Sequence, residues 1–116
     1  MSRYYEMYVE LENVNPARVE AIQDAVNAEW PFDDWHAYDA PGDRGTVSSA
    51  RGRGNLTGGE SEQEFAERLA KVIWIANGGP CLISLDATYL EELPYDSYSF
   101  DESDYAKLMD KLSQGD

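Results

Sequence analysis

The chain has 116 residues, of which 42% are hydrophobic and 12% aromatic, with 23 acidic and 9 basic residues and a formal charge of −14. That length suits a single globular domain over residues 1–116, with a core large enough to fold without disulfides or metals. The composition excludes wholesale disorder, and the shortage of lysine and arginine weighs against direct binding to nucleic acid or anionic lipid.

In chain order, RYYEMYVELE (residues 3–12) alternates, with Tyr5, Met7, Val9 and Leu11 on one face and Tyr4, Glu6, Tyr8, Glu10 and Glu12 on the other. Period two predicts a half-buried strand. Asn15-Pro16 then supplies a cap and a first helical residue, and Val19, Ile22, Val26 and Trp30 recur at helical spacing up to Pro31. A hairpin follows: Trp35 to Tyr38, a turn in APGDRG, and Thr46 to Arg53. The glycines of the second segment mark it as a weak strand, bulged or at an edge.

Ser61 and Glu64 fit a capping box for a helix with Phe65, Leu69, Val72, Ile73 and Ala76 as its apolar stripe, stopped by Asn77-Gly78-Gly79. PCLISLDATYLEEL continues as a strand, with Ile83, Leu85 and Ala87 on one side and Leu82, Ser84, Asp86 and Thr88 on the other. Last, Tyr105, Leu108, Met109 and Leu112 make a short amphipathic helix that Asp101 can cap.

With the hairpin counted as two strands, the first six elements spell βαββαβ. The expected fold is therefore α+β and ferredoxin-like: a four-stranded antiparallel sheet with two helices on one face, plus a short C-terminal helix. The first and fourth strands should be neighbours, leaving Glu6, Tyr8, Glu10 and Asp86 on the face away from the two long helices. That face is either packed by the terminal helix or free to meet another protein. Its tyrosines resemble the base-stacking platform of small RNA-binding domains, but its neighbours are acidic where such a platform needs arginine or lysine.

Charge is concentrated at the two ends. Residues 1–40 and 85–116 each hold nine acids and two bases, whereas 41–84 hold five of each. The stretch LEELPYDSYSFDESDY (residues 90–105) has six carboxylates, three tyrosines and no base. It lacks the glycine and terminal glutamate of a calcium loop. We read it as an ordered acidic surface segment, anchored by Tyr89, Leu90, Leu93, Tyr95, Tyr98 and Phe100. Glu91, Glu92, Asp96, Asp101 and Glu102 stay solvated, and tyrosine beside carboxylate suits an interface with a basic partner.

Catalytic signals are few. His36 is the only histidine; Asp33, Asp34 and Asp39 beside it on a strand project in different directions. Cys81 opens an apolar strand, where a free cysteine behaves as a small hydrophobe. GRGNLTGGES precedes a helix but lacks the lysine of a phosphate-binding loop, and its glutamates repel phosphate.

The expected function is non-enzymatic: a small acidic protein that binds a basic protein surface, without cofactor or metal. The most concrete form is a phage or mobile-element nucleic-acid mimic that inhibits a defence nuclease complex of the CRISPR or restriction type. The partner-binding set is Glu6, Tyr8, Glu10, Asp86, Glu91, Glu92, Tyr95, Asp96, Tyr98, Asp101 and Glu102. The alternatives are an antitoxin or immunity protein, a structural oligomerising module (a homodimer included), and, last, an enzyme using His36. A further alternative is that the acidity serves solubility alone. The absence of an apolar stretch of about 20 residues, of a secretory h-region and of a second cysteine sets the expectation of a cytoplasmic protein with no membrane contact.

Overall fold

The computed structural model describes residues 3–56, 59–89 and 96–114. Strand β1 (Arg3–Val14) leads through a short 3-10 turn (Pro16–Arg18) into helix α1 (Val19–Glu29). The hairpin β2 (Asp33–Asp39) and β3 (Thr46–Leu56) follows, then helix α2 (Glu62–Asn77), β4 (Leu82–Tyr89), β5 (Asp96–Phe100) and helix α3 (Glu102–Gln114). The strands form one sheet in the order β2-β3-β1-β4-β5, with every neighbouring pair antiparallel. The fold is thus α+β, with five strands and three helices.

The central strand is β1, and its alternation sorts the two faces. Tyr5, Met7, Val9 and Leu11 are buried, while Glu6, Tyr8, Glu10 and Glu12 are half-buried on the other side. The covered face meets Ile22 and Val26 of α1 and Phe65, Leu69 and Ile73 of α2, and Ile83, Leu85 and Ala87 of β4 complete a single core. Val19, expected in that core, is only partly buried at its margin. At about 25 cal/mol per Å², burying each large apolar side chain contributes roughly 1.5–3 kcal/mol, so this stripe-on-sheet packing dominates stability.

Local signals behave as their chemistry requires. The Asn15 side chain accepts from the Ala17 amide. Ser61 and Glu64 form a reciprocal capping box, with the Glu64 amide donating to Ser61 Oγ (3.1 Å) and the Ser61 amide to Glu64 Oε1 (2.9 Å). Gly78, at φ 80°, ends α2 in the left-handed conformation. Asp101 and Asp104 exchange the same kind of bond at the start of α3.

Three expectations are corrected. The sheet has five strands rather than four. Asp96–Phe100, read from sequence as an acidic surface segment, pairs with β4 from Ala87↔Asp96 to Ile83↔Phe100. Its period-two pattern places Tyr98 and Phe100 opposite Leu85 and Ile83 of the covered face, with Ser97 and Ser99 on the other side. Five residues with two aromatics suffice for a strand once a partner edge is present.

Strand β3 is also interior, not an edge. Gly52 and Gly54 face the chain between α1 and β2: a Cβ on Gly52 would lie 2.3 Å from the Pro31 carbonyl oxygen, and one on Gly54 3.0 Å from Pro31 Cγ. The glycines permit a close crossing rather than weakening an edge.

Trp74, finally, was missing from the expected helix stripe. It is 1% exposed, donates its indole N–H to the Cys81 carbonyl (3.0 Å), and meets Phe100 and Tyr105 edge-on. The third helix explains it. Tyr105, Leu108 and Met109 pack against the core, adding a second partner to α2. The Leu112 side chain lies outside the described residues. Because α3 sits on the side of α1 and α2, no helix among the described residues covers the opposite sheet face.

Candidate functional site

That uncovered face is built by cross-strand rows, since directly opposed residues of an antiparallel pair share a side. One row runs Arg51, Tyr8, Asp86, Ser97; another runs Arg53, Glu6, Thr88; a third runs Ser49, Glu10, Ser84, Ser99. A groove of about 360 Å³ lies over the first two rows, lined by Glu6, Tyr8, Arg51, Asp86 and Thr88. A second depression, of about 240 Å³, lies toward α3 and is lined by Glu10, Glu12, Leu82, Ser84, Ser99, Phe100, Asp101 and Asp104.

Three arginines reach the face, and sequence reasoning missed all three. Arg44, in the turn before β3, bridges Glu10 (2.9 Å) and Glu12 (3.2 Å). The two carboxylates, Glu12 first, push its pKa above the usual arginine value. Arg53 pairs with Glu6 at 3.4 Å, and the Arg51 guanidinium lies 5.6 Å from the Tyr8 ring centre. The signal was available in RGRG: once glycines occupy one side of β3, arginines must occupy the other. What the sequence lacked was the pairing partner. Glu6 and Glu10 therefore lie in ion pairs, and Tyr8 carries a cation on its ring.

The carboxylates toward β5 and α3 differ. Among the described residues, Asp86, Asp101, Glu102 and Asp104 form no ion pair with any lysine or arginine. Asp86 accepts the Ser97 hydroxyl at 2.6 Å. Asp101 accepts the Asp104 amide, which holds its carboxyl below the usual aspartate range, while its side chain stays exposed. Glu102 is exposed in the first turn of α3.

Tyr98 faces inward from β5. It is half-buried, and its hydroxyl donates to Glu62 (2.9 Å), a carboxylate that also receives the Tyr5 hydroxyl. Backbone pairing places Asp96 at the start of β5. Glu91, Glu92 and Tyr95, together with the anchors Leu90 and Leu93, lie outside the described residues.

The catalytic candidates stay apart. His36 is exposed on β2, 3.7 Å from the equally exposed Asp34. Cys81 directly precedes β4, three positions across the sheet from β2 and so roughly 14 Å away at the usual strand spacing. Burial pushes the Cys81 thiol up to about 12, which leaves essentially no thiolate at neutral pH. Among the described residues, no three His, Cys, Asp or Glu side chains converge as a metal site, and no helix is long and apolar enough to cross a membrane.

No protein-family model, no curated protein and no solved structure matches this chain. The surface therefore has to be read from its own chemistry.

Proposed function

We propose that the protein is a small, acidic, non-enzymatic binding protein whose partner is a basic protein surface, met across the uncovered sheet face and its acidic margin. The architecture is read as a ferredoxin-like core, β1 to β4 with α1 and α2, extended by β5 at one edge. The observation that carries the reading is the division of the carboxylates. Glu6, Glu10 and Glu12 are bridged by arginines, whereas among the described residues Asp86 on β4 and Asp101, Glu102 and Asp104 at the end of β5 and the start of α3 form no ion pair with lysine or arginine. A charged margin beside a rigid tyrosine-bearing sheet steers a cationic partner and orients it. In its most concrete form the partner is the nucleic-acid groove of a defence nuclease complex, and the margin stands in for the phosphate track.

The test is a variant carrying Asp86→Asn, Asp101→Asn, Glu102→Gln and Asp104→Asn. Amides preserve size and, at Asp101, the cap. Association with a fluorescent arginine- and lysine-rich peptide, followed by stopped flow, should slow by about tenfold or more at low salt, within the known range of electrostatic steering. The difference should narrow as the screening length falls to about 10 Å at 0.1 M salt. Equal association rates at low salt would reduce the margin to solubilising surface.

A further inference from the structure

The sheet ends in two unlike edges, and the difference points to a mode of binding. At one end, β2 carries the features that natural proteins use to keep an edge from pairing. Its register with β3 slips between Asp33 and His36, Asp34 sits at φ 58°, and Asp33, Asp34 and Asp39 put charge along it. At the other end, β5 pairs with β4 through five consecutive positions without a slip. No strand lies beyond it among the described residues, and its open-face side chains are the small Ser97 and Ser99. Such an edge offers a flat approach along the rim of the sheet.

We propose that β5 accepts an extended basic segment of another protein as a sixth strand. The inference rests on the acidic-binder reading and specifies its geometry. Main-chain hydrogen bonds to β5 would supply affinity, and alternate side chains of the added strand would supply specificity. Every second side chain of that strand would fall on the open face next to Ser97 and Ser99, one strand further from Asp86 of β4 and near the depression lined by Leu82, Asp101 and Asp104. Lysine and arginine suit such a place, because their aliphatic stems cover apolar floor while their heads reach carboxylates. Charge decides the occupant. A second copy pairing β5 with β5 would bring two chains of charge −14 together at their uncompensated margins, whereas a cationic segment neutralises them.

The probe is a nine-residue peptide alternating lysine and valine, compared with the same sequence N-methylated at every backbone amide. Both have equal charge, but only the first can pair as a strand. The unmodified peptide should bind about tenfold more tightly or better, as expected for the loss of a few inter-strand hydrogen bonds. Hydrogen–deuterium exchange should slow within Asp96–Phe100 and stay unchanged within Asp33–Asp39. Equal binding of the two peptides would overturn strand addition while leaving the acidic-surface reading intact. Protection of β2 instead of β5 would overturn the choice of edge. Failure of both peptides to bind at low salt would overturn both readings. Dimerisation of the protein alone, with β5 protected on self-association, would replace the basic segment by a second copy.

Discussion

At the scale of single residues, the same chemical group takes opposite roles according to what the fold places beside it. Glu10 and Asp101 are both solvent-facing acids in the sequence. One is held by Arg44, while the other caps α3 and forms no ion pair with lysine or arginine among the described residues. Tyr8 and Tyr98 divide in the same way: Tyr8 lies on the open face, and Tyr98 turns inward to Glu62. Cys81 shows the effect most simply. Its thiol is buried and pushed up to about 12 from an ordinary value of 9.0, by desolvation alone. Because the folded form keeps the proton that the unfolded chain releases, this group's contribution to stability is fully present below pH 9 and is lost as pH rises from 9 toward 12. The slope cannot exceed about 1.4 kcal/mol per pH unit. Urea unfolding of wild type and Cys81→Ala at pH 8, 9.5 and 10.5 should show the wild type losing stability relative to the variant as pH rises. Parallel curves would mean that the thiol ionises equally well in both states.

At the scale of elements, helices were more legible than strands. The capping box, the Asn-Gly-Gly stop and the apolar stripe of α2 are local, so they could be read without knowing any neighbour. Even so, Trp74 was missed, because its burial depends on α3 and β5 packing over a second side of α2. The two helices are also tied by a clamp that no local pattern announces. Arg68 makes a bidentate pair with Glu60 (both bonds 2.9 Å), also contacts Glu29 of α1, and lies 5.1 Å from the Phe65 ring centre. Its hydrogen bonds lower the Glu60 pKa and raise that of Arg68.

The glycines of β3 were visible but misread, since a glycine in a strand signals either weakness or close approach, and only the crossing chain distinguishes them. Gly52→Ala should destabilise by more than about 2 kcal/mol, because the new methyl meets backbone rather than a movable side chain. Gly79→Ala, where nothing lies within 4 Å and φ is not in the left-handed region, should stay within about 0.5 kcal/mol. Thermal melts of the two variants would check the contrast. Similar, small losses would mean that the α1–β2 connection relaxes freely.

At the scale of the whole molecule, the balance of charge governs behaviour. Twenty-three acids face nine bases, and Arg44, Arg53 and Arg68 are already committed to local pairs. Repulsion among the remaining carboxylates therefore outweighs attraction. Screening should raise the melting temperature as sodium chloride increases from 10 to 200 mM, the range over which the screening length falls through about 10 Å. A gain of about 1 kcal/mol corresponds to several degrees for a domain near this size. A melting temperature that fell with salt would show instead that the arginine bridges dominate.

Several features follow from the chain alone: the α+β class, the adjacency of β1 and β4, the capped helices, the two-faced β1 and the excess of negative charge. Each arises from period, capping chemistry or composition, which act between residues near one another in sequence. Others belong to tertiary structure: the fifth strand, the interior place of β3, the burial of Trp74, the side on which α3 docks, and which carboxylates meet an arginine. These depend on segments distant in the chain, such as Glu6 with Arg53, Ile83 with Phe100 and Trp74 with Tyr105. A local pattern specifies which side of an element is apolar. It does not specify what will cover that side, or what charge will stand across from it.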